Sequence, residues 1–154
     1  NPAGADNQVL GVFHPDLVGI QARVLQRLGS SHVLVVNGSD GLDEITISGT
    51  TSVAELKDGQ VNEYTVTPKD FGMRAEPLDK IRVTNVADAK AMLLGVLDNK
   101  PGAALDIVRL NAGAAIYAAG LSDTLANGVK QAAETIASGA AKNKLTQLIQ
   151  ASNT

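Results

Sequence analysis

The sequence predicts an α/β fold: a βαβ-type, mostly parallel sheet with an antiparallel hairpin, covered by helices and ending in an all-helical stretch. Three observations carry that expectation. Two uninterrupted aliphatic runs, within Gln8–Phe13 and Val33–Val36, flank a segment whose apolar residues recur at helical spacing. Asp58-Gly59 sits between two segments of alternating polarity, which is the pattern of a tight hairpin. From Asn85 onward the apolar pattern has a helical period, and with aromatics at only 3% of the chain the core must be aliphatic and alanine-rich, which favours closely packed helices.

Each element follows from local chemistry. QVLGVF, bounded by Gly4 and by His14-Pro15, is short and apolar enough for a buried strand. Pro15 at a first helical position and Asp16 in the first turn open a helix, in which Leu17, Ile20, Val24, Leu25 and Leu28 face the core and Gly29 supplies the stop. Val33–Val36 is the second strand. Strand, helix and strand in so short a span make a βαβ unit, with parallel strands joined by a right-handed crossover. Their uninterrupted aliphatic character predicts a sheet covered on both faces. Ligands of such sheets gather beyond the carboxyl ends of the strands, where the loop NGSDGLDE falls.

Ile45-Thr46-Ile47-Ser48 alternates as a half-buried strand should, and the hairpin around Asp58-Gly59 is polar enough to be an antiparallel edge or lid. Thr67-Pro68-Lys69-Asp70 predicts a capped helical turn ending at Gly72, and residues 73–84, interrupted by Pro77, a loop. Asn85 caps a helix from Val86 to Leu97. Ala103–Ala119 is apolar nearly all round and belongs inside, with Ala112, Gly113 and Ala114 letting neighbours approach closely. Asp123 caps a helix from Thr124 to Ser138, with Leu125, Val129, Ala133 and Ile136 inward, and a last helix carries Leu145, Leu148 and Ile149.

Composition narrows the function classes. At 154 residues, one α/β domain over 1–154 is expected. The thirteen Lys and Arg are scattered in a chain of net charge -3, so nucleic acid is not an expected partner. Cysteine is absent, which removes disulfides, thiolate nucleophiles and Cys-based zinc sites together. No apolar run approaches the roughly 20 residues that span a bilayer, and the start NPAGADNQ lacks a charged and apolar leader, so neither a membrane partner nor export is expected and the location predicted is cytoplasmic. A start at Asn1-Pro2 without Met predicts a fragment of something longer.

Few residues then remain for chemistry. His14 and His32 are far apart in sequence and without acidic partners at helical spacing, so no zinc site is expected. There is no G-x-S-x-G elbow, no G-x-G-x-x-G and no P-loop, and no catalytic residue is assigned. Asp43 and Glu44 stand out by location: in a loop entering a strand, two adjacent carboxylates can address one cation or two neighbouring ones. So few hard oxygen ligands suit Mg²⁺, which keeps several waters and shares itself with substrate phosphates. Two readings stand on position alone, a solvated acidic turn and a Mg²⁺ site.

The succession NPAGA, QVLGVF, PDLVGIQARVLQRLG, VLVVNGSDGLDEI, VAELKDG, TPKDFG and LNAGAAIYAAG closely resembles the carboxyl-terminal half of the anthranilate phosphoribosyltransferases, over essentially the whole chain. Its most specific element is GLDE, Gly41–Glu44. The resemblance implies transfer of a phosphoribosyl group from phosphoribosyl pyrophosphate to the amino group of anthranilate in tryptophan biosynthesis, with Asp43 and Glu44 holding Mg²⁺. It also implies that the substrate-binding residues lie upstream of Asn1, that the longer enzyme is a homodimer, and that the 154 residues alone are monomeric and inactive. This chain has Asn37 where that family commonly has His, a side chain that hydrogen-bonds but does not titrate. The alternatives are a nucleoside phosphorylase-like enzyme and a non-enzymatic or nucleic-acid-binding relative of the same fold.

Overall fold

The computed structural model describes residues 4–153, so the expectation placed on Asn1-Pro2 lies outside them. Strand β1, Asn7–Gly11, leads into helix α1, Leu17–Arg27, and back to β2, His32–Gly38, which pairs with β1 in parallel, Val9 opposite Leu34. This is the βαβ unit expected. β3, Thr51–Lys57, and β4, Gln60–Val66, form the hairpin, with Asp58 and Gly59 at φ 52° and 74°. Positive φ at both central residues gives the turn whose twist matches the strands it joins.

The four strands lie in the order β1-β2-β3-β4. One departure concerns the balance of pairings. β2–β3 and β3–β4 are both antiparallel, so the sheet is mixed, with a single parallel pair, where a mostly parallel one was expected. A second departure causes the first. Ile45–Ser48 is not a strand: it is irregular chain, and the strand beside β2 is instead β3, which returns from the loop in the opposite direction. β3 is therefore interior and largely buried, and of the hairpin only β4 is a solvated edge.

Because successive strand residues face opposite ways, β2 feeds two cores. Val33 and Val35 join Val18 and Ala22 of α1, with Ala54 and Leu56 of β3. Leu34 and Val36 face Ile107, Leu110 and Ala114 of helix α3, Ala103–Ala118, with Ile45 and Ile47 between. The inward face of α1 is only in part the one predicted: Leu17 and Leu25 pack against the core as expected. Val18, Gly19 and Ala22 are buried between them, whereas Ile20, Val24 and Leu28 are exposed, because the small residues let that side of α1 lie close to the sheet.

Beyond the hairpin, Pro68–Phe71 is a 3₁₀ turn whose Asp70 accepts from the Thr67 N–H at 2.7 Å, closed by Gly72 at φ 72°. Residues 73–84 are loop apart from a second turn at Leu78–Ile81. Helix α2, Val86–Leu97, is capped by Asn85, whose Oδ1 accepts from the Asp88 N–H at 2.9 Å. Helix α4, Leu125–Ala137, is capped by Thr124 rather than Asp123, the hydroxyl accepting from the Asn127 N–H at 3.1 Å. α5 is Ala140–Ser152. α3 and α4 touch backbone to backbone: a Cβ on Gly113 would lie 2.5 Å from Val129 Cα, and one on Gly128 would lie 2.3 Å from the Gly113 carbonyl oxygen. Among the described residues, no helix is long and apolar enough to cross a membrane.

Candidate functional site

At the carboxyl end of β2 the chain turns sharply, with the Gly41 N–H donating to the Gly38 carbonyl at 2.9 Å and the Gly38 N–H to the Leu42 carbonyl at 2.8 Å. That turn delivers Asp43 and Glu44, both exposed, to the end of the sheet where β1 also finishes. The approach is close. A Cβ on Gly11, the last residue of β1, would stand 1.6 Å from the Asp43 carbonyl oxygen, so only glycine fits beside the acidic pair. Asn37, 4% exposed, donates its amide N–H to the Val12 carbonyl at 2.7 Å and ties the two strand ends together. Its amide thus serves the scaffold.

Side chains rather than strand pairing hold the rest of the loop. Asp40 accepts from the Leu42 N–H at 3.2 Å and from the hydroxyls of Thr46 and Ser48. Partial burial disfavours its charge, but the two hydroxyls and the Leu42 N–H outweigh that and keep the carboxyl below the ordinary aspartate range. Asn111 of α3 accepts from the Ile45 N–H and donates to the Ile45 carbonyl, both at 2.9 Å. The Thr46 N–H goes to Thr51 Oγ1 at 3.0 Å, and the Ile47 carbonyl accepts from the Glu76 N–H at 2.9 Å. With these backbone groups already satisfied, Ile45–Ser48 has no need of a partner strand.

The residues singled out by sequence separate cleanly. Asp43 and Glu44 both lie, exposed, at the expected end of the sheet. Neither histidine joins them. His14 is exposed beside Asp16, its Nδ1 accepting from the Asp16 N–H at 3.3 Å. His32 is not in a solvated turn: it is 8% exposed at the opposite end of β2, with Nε2 2.9 Å from Glu55 Oε1. Among the described residues, no three or more His, Cys, Asp or Glu converge as a metal-holding group. Asp40, Asn111 and Gly11 were not anticipated. Asn111 did leave a signal, as the polar interruption of the apolar stretch LNAGAA.

The loop also borders an open apolar groove of about 920 Å³ between α2, α3 and α5, lined by Met92, Val96, Ile107 and Leu145 together with Leu42 and Glu44.

Residues 1–142 match the glycosyl transferase family, a/b domain. The chain belongs to that family. Among curated members, it is 60% identical over 153 residues to an anthranilate phosphoribosyltransferase of Nitrosomonas eutropha, covering 99% of this chain and 45% of that one. The chain therefore spans a little under half the length of such a relative. Among solved structures of the family, the anthranilate phosphoribosyltransferase of Thermus thermophilus superposes with a TM-score of 0.86 at 38% identity, over 96% of this chain and 43% of the other. The Saccharomyces cerevisiae enzyme, solved in complex with PRPP and Mg, superposes at 0.80 over 92% of this chain and 41% of its own, and its 24% identity speaks for the fold alone.

Proposed function

We propose that this chain serves in the transfer of a phosphoribosyl group from phosphoribosyl pyrophosphate to the amino group of anthranilate, and that Asp43 and Glu44 hold the Mg²⁺ that accompanies the pyrophosphate. The observation that carries the reading is the placement of two exposed carboxylates at the carboxyl end of β2, between backbone segments fixed by Asp40 and Asn111. The name and 60% identity of the Nitrosomonas eutropha relative point to the same reaction.

The donor set fits the ion. Two carboxylates with no third protein ligand beside them, among the described residues, suit a cation that retains waters and takes its remaining oxygens from a phosphate substrate. They would suit zinc poorly, which wants nitrogen or sulfur and a closed tetrahedron. When bound, the ion offsets the negative charge that gathers on the departing pyrophosphate. The chain's own part is to present the carboxylates of Asp43 and Glu44 exposed and on a backbone held in place. Its buried Asn37 amide closes the strand ends behind them. Catalysis by such a site consists of placement and charge stabilisation, and it asks for no covalent nucleophile.

The test is phosphoribosyl transfer by a polypeptide of the relatives' full length carrying this sequence, titrated with Mg²⁺. Asp43→Asn and Glu44→Gln should each raise the Mg²⁺ concentration for half-maximal rate at least about tenfold, the order expected when one of very few ligands is lost. As exposed substitutions they should alter stability by no more than about 0.5 kcal/mol. Unchanged Mg²⁺ dependence in both variants would refute the assignment.

A further inference from the structure

The geometry points to Asn111 as a positioning residue for the acidic pair, acting from the opposite layer of the molecule through the backbone of Ile45; this rests on the reading of Asp43 and Glu44 as the metal-holding residues. Asn111 Oδ1 accepts from the Ile45 N–H at 2.9 Å, while Nδ2 donates to the Ile45 carbonyl at 2.9 Å and to the Ile107 carbonyl at 3.0 Å. A planar amide thereby pairs with both polar groups of one residue, as a neighbouring strand would. Among side chains, only asparagine and glutamine carry an amide donor and acceptor on one planar group, and asparagine is the shorter by a methylene.

Ile45 follows Glu44 directly, and its side chain is 2% exposed. On the other side of the pair, the Leu42 N–H is held by Asp40 at 3.2 Å. Asp43 and Glu44 are thus the two exposed residues between two gripped ones. Their side chains are free to meet solvent and ligand, while the backbone that carries them is set from both ends. The helix that supplies the grip is itself immobilised: Leu110 and Ala114 are fully buried, and Gly113 lies against the backbone of α4. A rigid platform is what such a device requires, since a side chain can set a loop only as well as its own position is set.

Loss of this grip lets the acidic pair wander without removing either carboxylate. The expected signature is a raised Mg²⁺ requirement with the rate at saturating Mg²⁺ largely kept, which differs from simple loss of folded protein.

The experiment uses the full-length polypeptide of the preceding section and reads the Mg²⁺ concentration for half-maximal rate together with Tm. Asn111→Ala removes all three bonds. Asn111→Ser is the gentler variant, because a serine hydroxyl can bond back to the Ile107 carbonyl four residues earlier, leaving only Ile45 released. Either variant should raise the Mg²⁺ half-saturation at least about tenfold, in the range seen when outer partners of metal ligands are removed. Val18→Ala, in the core under the other face of the sheet, should lower Tm without moving the Mg²⁺ half-saturation. If Asn111→Ala does not fold, Asn111→Ser decides. Unchanged Mg²⁺ half-saturation at Asn111, while Asp43→Asn and Glu44→Gln raise it, would overturn the positioning role and leave the metal assignment standing. Unchanged values in the acidic variants as well would overturn both.

Discussion

The contact between Gly11 and the acidic loop yields a prediction whose size can be worked out. Gly11 is not in a positive-φ conformation, so alanine is acceptable to its backbone, and in open space Gly11→Ala would stabilise by about 0.4–1 kcal/mol through the unfolded chain. Space is what is missing: the new Cβ would stand 1.6 Å from the Asp43 carbonyl oxygen and 3.0 Å from its Cβ. To reach ordinary van der Waals separation the loop must retreat by roughly 2 Å. Overpacking of this kind costs about 1–3 kcal/mol, which exceeds the unfolded-state gain and corresponds to a fall in Tm of about 2–4 °C per kcal/mol in a chain of 150–250 residues. Gly95→Ala is the matched control. It lies within α2, where a Cβ would meet only Lys100 Cδ at an ordinary 3.5 Å, and it should stabilise by about 0.5–1 kcal/mol. Thermal unfolding of the two variants beside the parent gives the comparison, and Mg²⁺ half-saturation gives a second reading, raised for Gly11→Ala and unmoved for Gly95→Ala. A Gly11→Ala protein as stable as the parent, with the parent's Mg²⁺ requirement, would refute the idea that β1 is cut to fit the acidic loop.

Two further outcomes are expected. Glu55→Gln should lower stability by about 1–3 kcal/mol in urea unfolding, because the nearly buried carboxylate accepts from Tyr117 at 2.7 Å and Tyr64 at 3.0 Å and meets His32 at 2.9 Å, and an amide cannot serve all three; a variant as stable as the parent would show the cluster to be idle. For Asp40, whose folded carboxyl is held below its ordinary value of 3.8, the stabilisation from ionisation is complete above that value and disappears as pH falls through the lower folded one. The stability gap between the parent and Asp40→Asn should therefore be constant near neutrality and narrow below pH 3.8 in a stepwise urea series, and a gap that persisted there would count against the hydroxyl-bonded carboxylate.

What the sequence made legible was what depends on neighbours along the chain. The βαβ unit, the Asp58-Gly59 turn, the Asn85 cap and the location of Asp43-Glu44 all follow from local patterns. Ile45–Ser48 has strand periodicity, yet the backbone of Ile45, Thr46 and Ile47 bonds to Asn111, Thr51 and Glu76, the nearest of them five residues from its partner in sequence, so period alone could not exclude pairing. The buried face of α1 was legible only at Leu17 and Leu25, for a related reason. Both of its faces carry aliphatic residues, and the one chosen by the sheet is the one with Gly19 and Ala22, because close approach gains more contact than large side chains at a distance. Asn111, 66 residues from Ile45, could be noticed in LNAGAA but not given a partner.

The same ambiguity arises in β2 and bears on the site. HVLVVNG offers aliphatic residues to both faces, with Val33 and Val35 in one core and Leu34 and Val36 in the other. A slip of one residue would exchange these sets and still leave an apolar strand between two apolar layers, so hydrophobic burial specifies its register weakly. The polar residues at its ends remove that freedom. His32 meets Glu55 on β3 at 2.9 Å and stacks edge-on against Tyr117 with centroids 4.7 Å apart, while Asn37 donates to the Val12 carbonyl beyond β1 at 2.7 Å. After a slip, His32 would enter the core beneath α1, and the Asn37 amide would turn from Val12 toward the core beneath α3, leaving buried polar groups unpaired at about 1–3 kcal/mol each. Register in turn decides where Gly38 ends the strand, and hence whether Asp43 meets the one residue, Gly11, that has no side chain to obstruct it. The buried histidine and asparagine therefore need not touch any ligand to matter for the acidic pair: they fix the strand that aims it.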